Sequence, residues 1–205
     1  MFADLPSLIL EHLRIAVGSV GAAIALAIPL VLLVRRYRWL TGWVLGLTSA
    51  TYAIPSLALM ILLVPLFGLG WISVAAAIAL YCQSILLRHG LAALESIPPT
   101  SLETALAMGM TPAQTWLRVR WPLMLPVVIA GIRLATLTAV AIAAIGTKFG
   151  SGGLGVLLFD GISQTRFDKL IVGAVAITLL AWGLNALLLW LERQTDYPRS
   201  HPLGS

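Results

Sequence analysis

Three histidines, one cysteine and eight carboxylates are the side chains in this sequence suited to proton transfer, nucleophilic attack or metal binding. His12, His89 and His201 stand far apart, at the edges of apolar runs and in the C-terminal tail. No His-Glu-x-x-His or Gly-x-Ser-x-Gly pattern sets a base beside a metal or a serine. Cys82, alone in an apolar run, excludes an intramolecular disulfide and a cysteine-held metal, and reads as a small buried side chain. The acidic residues all fall outside the spans set out below, so a carboxylate relay for ion-coupled transport is not expected. Arg133 is the one charge inside an apolar run. At that depth it is read as paired or snorkelling, or else as a contact for a passing solute.

The elements that position these residues follow from hydropathy. Of 205 residues, 60% are hydrophobic and 10% charged, against about 25% charged in soluble domains. Too little charge is present to coat a water-facing surface, and a bilayer is the solvent that fits. A net charge of +5 forms no basic face that would suit nucleic acid, because the cations sit at the ends of apolar runs. Asp4 and Glu11 precede the first run and no short core with a small-residue cleavage site follows, so that span is expected to be retained.

A helix needs about 20 apolar residues to cross about 30 Å of hydrocarbon. The expected fold is an all-α polytopic membrane protein with about five spans: 15–34, 43–66, 71–88, 123–145 and 170–191. A sixth is possible if Pro55 splits the second. One transmembrane domain then covers 1–193, and residues 194–205 read as a disordered polar tail. Five spans put Arg35, Arg36, Arg38, Arg88, Arg118, Arg120, Arg193 and Arg199 on one side, against Arg14, Lys148, Arg166 and Lys169 on the other. The richer side is expected to be cytoplasmic, with the N-terminus outside. Trp39, Trp43, Trp71, Trp121 and Trp190 near the span ends agree with these boundaries.

Between the third and fourth spans, residues 95–122 leave the membrane and pattern as two short helices. Pro98-Pro99 stops the preceding helix, and Thr100 with Glu103 matches a capping box. Leu102, Ala105, Leu106 and Gly109 recur at helical spacing, and Gly109 suits a left-handed stop. Thr111-Pro112-Ala113-Gln114 opens a second capped helix, which Pro122 is expected to end. The pair is either a plain interfacial connector or a rigid knob that transmits force.

Glu103-Thr104-Ala105, Gly109, Val119 and Pro122 resemble the Glu-Ala-Ala loop of ABC importer permeases, with the Glu–Gly–Pro spacing intact. Thr104, Val119 and Trp121 depart from that family's residues. Two further stretches are similar to the osmoprotectant branch, which imports glycine betaine, choline or carnitine: Ala53-Ile54-Pro55-Ser56-Leu57-Ala58-Leu59 and Gly150-Ser151-Gly152-Gly153-Leu154-Gly155. Permeases for methionine and other small solutes share parts of these patterns.

The resemblance implies a type I importer permease without catalysis of its own. Glu103, Ala105, Gly109 and Pro122 would form the joint to a separate ATPase, present in two copies, that binds ATP and Mg. Glu103 would cap its own helix or meet a basic partner. A second permease copy or paralogue, an extracytoplasmic substrate-binding protein and the lipid of a bacterial inner membrane complete the implied partners. Tyr52, Pro55, Ser56 and Arg133 are the pore or gate candidates. Pro55 kinks its span, and Ser56 either satisfies the freed carbonyl or faces the pore. Aromatic faces hold quaternary ammonium groups, yet Tyr52, Tyr81 and Trp182 read equally as packing. Gly152, Gly153 and Gly155 fit a tight external turn, either docking the binding protein or merely compact. No Gly-Lys-Ser/Thr follows that run, so it is not a phosphate loop.

Overall fold

Long uncharged runs make long helices. The computed structural model describes residues 4–195, and among them the only regular elements are helical. α1 spans Leu5–Arg36, α2 Leu40–Ala53, α3 Ser56–Phe67 and α4 Trp71–Glu95. α5 (Pro99–Ala107) and α6 (Pro112–Thr115) follow, then a π-helical turn, Trp116–Arg120, that leads into α7 (Trp121–Gly146). A 3-10 turn, Thr147–Phe149, precedes α8 (Gly155–Ser163) and α9 (Phe167–Thr195). α1, α4, the continuous stretch Pro112–Phe149 and α9 are each long and apolar enough to cross a bilayer, and the bent pair α2–α3 makes a fifth crossing if taken as one.

The core is a three-helix contact of α1, α4 and α7 built on small side chains. Ala16, Ala23 and Ala27 of α1 meet Ala77 of α4 and Ala135, Ala139 and Ala143 of α7, all buried. Lipid tails are as apolar as leucine, so hydrophobicity alone does not draw helices together. Close approach of backbones does. At Gly131 an added Cβ would lie 2.5 Å from His89 Cβ, which measures how tightly α7 presses on α4. Val74, near the start of α4, packs beside Gly146 at the end of α7, so these two helices run antiparallel. Val31 and Gly90 meet near the other end, so α1 runs with α4. α9 packs chiefly on α7 and α8 and turns most of its surface outward, Trp182 included.

Several boundaries differ from expectation. α1 starts at Leu5 rather than near 15, and α4 runs on to Glu95 rather than stopping at Arg88. A helix continues past the hydrocarbon while its backbone bonds stay intact, and hydropathy marks only the membrane portion. The second expected span is two helices bent by 102°. α8 was not foreseen, because its nine residues are too short for a span. Gln194 and Thr195 close α9 rather than beginning a tail, and the rest of that tail lies outside the described residues.

Candidate functional site

The segment between α4 and α7 is a bracket of two short helices. α5 starts on Pro98-Pro99, and the expected Thr100–Glu103 capping box is absent. Pro98 occupies the cap position, which puts Thr100 inside the helix, where its carbonyl accepts from Thr104 Oγ1 at 2.8 Å. Glu103 is exposed, and Ala105 is buried. The helix stops as its glycine suggested: Gly109 adopts φ +72°, and the Met110 N–H donates to the Ala105 carbonyl at 3.1 Å. The second capping box is complete. Thr111 Oγ1 accepts from the Gln114 N–H at 3.3 Å, and Gln114 Oε1 accepts from the Thr111 N–H at 2.9 Å.

Pro122 does not end the second helix. The backbone passes through it, because the π-helical turn just before it widens the spiral and the Trp121 N–H donates to the Trp116 carbonyl, five residues back. That shift relieves the clash and the lost bond a proline imposes on a regular helix. Pro112–Phe149 is thus one helix of 38 residues, about 57 Å long against about 30 Å of hydrocarbon. It is longer than a crossing requires. A second apolar cluster of Ala93, Ile97 and Met124, with Leu102 and Trp116 against it, fixes α5 onto the ends of α4 and α7. A cleft of about 390 Å³ separates α5 from the π-helical turn, with Thr115 on its wall.

The break between α2 and α3 is the second irregular place. Ile54 and Pro55 are extended, with ψ of 130° and 134°. Ser56 is half-buried, and the Thr51 carbonyl that Pro55 leaves without its helical donor accepts from the Ile54 N–H at 3.2 Å. The Tyr81 hydroxyl, from α4, donates to the Ile54 carbonyl. Tyr52 and Tyr81 lie with ring centroids 5.4 Å apart, tilted by 51°. Tyr52 is exposed, and one turn before it Ser49 Oγ accepts from Arg88 Nη2 at 2.6 Å.

Arg133 is paired. Its Nε donates to Glu192 at 3.0 Å and its Nη1 to Asn185 Oδ1 at 3.3 Å, both on α9. The structure brings it nowhere near Tyr52 or Pro55 by any bond or ion pair among the described residues. The glycine turn packs inward. Gly152 and Gly153 take φ of +75° and +84°, the Gly152 carbonyl accepts from Thr147 Oγ1 at 2.8 Å, and the Gly153 N–H donates to Glu11 at 3.0 Å. Gly155 is buried at the start of α8. His12, read as an edge residue, is fully buried, and its Nε2 hydrogen-bonds to the Val140 carbonyl at 3.1 Å. Gln83 Nε2 similarly donates to the Ala23 carbonyl at 2.9 Å. Neither was legible in advance, since a polar residue in an apolar run signals only that some partner exists. His201 lies outside the described residues.

The architecture is thus four long apolar helices, a bent pair that makes a fifth crossing if taken as one, and a bracket before the penultimate long helix. The chain of an inward-facing MetNI methionine ABC transporter matches it with a TM-score of 0.83 at 20% identity, over 96% of this chain and 98% of that one. A chain of an amino acid ABC transporter solved with histidines matches with a TM-score of 0.75 at 16% identity, over 94% of each. The likeness in sequence is closer elsewhere. The osmoprotectant import permease OsmW of Salmonella typhimurium strain LT2 is 40% identical over 192 residues, 90% of this chain and 88% of that protein. The glycine betaine/carnitine/choline transport system permease OpuCD of Bacillus subtilis strain 168 is 38% identical, over 89% of this chain and 80% of that protein. Residues 19–196 match the binding-protein-dependent transport system inner membrane component family, and the chain belongs to it. It is a multi-pass permease subunit of an ABC importer with the type I fold.

Proposed function

We propose that this permease forms half of the path by which a glycine betaine, carnitine or choline-like osmoprotectant crosses the inner membrane. The supporting observation is the 40% identity to an osmoprotectant import permease along nearly the whole of both chains. Glycine betaine, carnitine and choline are named together for OpuCD of Bacillus subtilis. On this reading the chain hydrolyses nothing itself. ATP and Mg belong to a partner ATPase, two copies of which serve two permease subunits, and a binding protein delivers the solute from outside.

The bracket of α5 and α6 is the joint to the ATPase. It is capped, seated on its own apolar cluster and continuous with a membrane-crossing helix, so a push on α6 travels along α7 without first bending a loop. Gly109 sets the angle of the bracket, Ala105 seats it, Glu103 is free for a basic partner and Pro122 sits where the stalk enters the bilayer. The bracket shares its end of the bundle with Arg35, Arg36, Arg118, Arg120 and Arg193, which favours that end as cytoplasmic and the N-terminus as external. Tyr52, Pro55 and Ser56 at the α2–α3 break form the gate. Arg133 holds α9 on α7 rather than touching solute.

Purification from native membranes in mild detergent, followed by uptake of labelled betaine, carnitine and choline, tests the reading. Recovery of an ATPase and a second permease with ATP-dependent betaine uptake is the expected result. A lone homo-oligomer that conducts solute without ATP would overturn it.

A further inference from the structure

Two adjoining spaces at the bracket end of the bundle have complementary chemistry. The inner one, about 260 Å³, lies between α1, α4 and α7 and is walled by Ile24, Val31, Leu86, Gly90, Val128 and Ile132. The outer one, about 490 Å³, is lined by Arg35, Arg36 and Arg120 with Leu32 and Trp116. Leu32 and Trp116 belong to both, so the outer space is the mouth of the inner one. Arg35 and Arg120 each approach the Trp116 ring, at 6.0 and 5.7 Å from its centroid. None of the three arginines has a carboxylate partner among the described residues. Arginines at the end of α1 are accounted for by topology and by the helix dipole. Arg120 lies four residues beyond Trp116 in the π-helical turn, so helical spacing sets it beside the ring, and the packing of α1 against that turn brings Arg35 to the same ring.

We propose that this seam binds an anionic phospholipid, with an acyl chain between α1, α4 and α7 and its phosphate on Arg35, Arg36 and Arg120. Guanidinium groups suit phosphate oxygens by geometry and charge, and basic pockets between membrane helices at the headgroup layer take acidic lipid. A free anion would use the arginines and leave the apolar space empty. An acidic protein surface would do the same. An amphiphile uses both. The site touches the π-helical turn, so an occupied seam props the stalk that carries the bracket.

Native mass spectrometry of the purified chain, exchanged into mixed phosphatidylglycerol and phosphatidylcholine, reads the proposal without any transport assay. Its outcome is therefore separate from the choice of solute. Phosphatidylglycerol should be retained over phosphatidylcholine by about tenfold or more. The triple variant Arg35→Gln, Arg36→Gln, Arg120→Gln should lose that preference. Val128→Phe, which fills the inner space and leaves the arginines, should also lose retention, whereas Arg118→Gln should keep it. In the unaltered chain, phosphatidylglycerol with brominated acyl chains should quench tryptophan fluorescence more than its phosphatidylcholine counterpart, a readout that needs no variant. Equal retention of the two lipids, or unchanged retention in the triple variant or in Val128→Phe, would overturn the site. Displacement of the lipid by inorganic phosphate alone would reduce it to a simple anion site. Displacement on adding the ATPase would assign the arginines to that partner instead.

Discussion

The Gly153 N–H donates to the Glu11 carboxylate at 3.0 Å, joining residues 142 apart in the chain and tying the start of α1 to the turn after α7. Next to it, His12 reaches the Val140 carbonyl and lies against the same glycine. Two consecutive residues of α1 thus hold one end of the bundle. Glu11→Ala should cost about 1 kcal/mol, a charge-assisted bond discounted for its exposed side chain. Gly153→Ala should cost more, because φ of +84° strains any L residue and its new Cβ would lie 3.0 Å from His12 Nδ1. Thermal denaturation in detergent measures both, and equal midpoints would refute the ordering.

Arg133 and Glu192 form a pair whose value lies in mutual cancellation. Arg133→Leu leaves a carboxylate, and Glu192→Leu leaves a guanidinium, each without its partner at the α7–α9 contact. Each single variant should lose about 1–3 kcal/mol, while the double variant should recover at least half of the summed loss. Strict additivity in the cycle would show that the pair is incidental. Transport in the double variant should stay near normal if Arg133 serves structure.

Tyr81→Phe removes the hydroxyl that meets the Ile54 carbonyl and keeps the ring against Tyr52. A carbonyl stranded at a helix break in lipid costs about 1–2 kcal/mol. Hydrogen exchange across residues 50–60 should speed up locally, with the α1–α4–α7 core unchanged. If exchange is the same as in the parent, the hydroxyl does not hold the break.

In the bracket, Thr111→Val deletes one side of a complete capping box and should cost about 1 kcal/mol. Gly109→Leu forces a side chain into a left-handed residue with open space around it, so the fold should survive while the angle of the bracket changes. Substrate-stimulated ATP hydrolysis by the assembled transporter should collapse in Gly109→Leu and fall by less in Thr111→Val. Normal coupling in a folded Gly109→Leu protein would remove the bracket from the coupling path.

The sequence alone carried the class, the Gly109 stop and the Thr111–Gln114 cap. These depend on hydrophobic length and on residues within four positions of each other, where geometry is set by the local backbone. It misplaced the Thr100 cap, since Pro98 and Pro99 compete for the same turn and composition does not rank them. It ended a helix at Pro122, because a proline rule knows nothing of a π-helical turn that absorbs the missing N–H. The partners of Arg133, His12, Gln83 and the Ile54 carbonyl were decided only by the tertiary structure. Each is a bond between helices distant in sequence, and in a bilayer a buried polar group without such a partner is costly. The chain announces the need, and only helix packing selects which residue meets it.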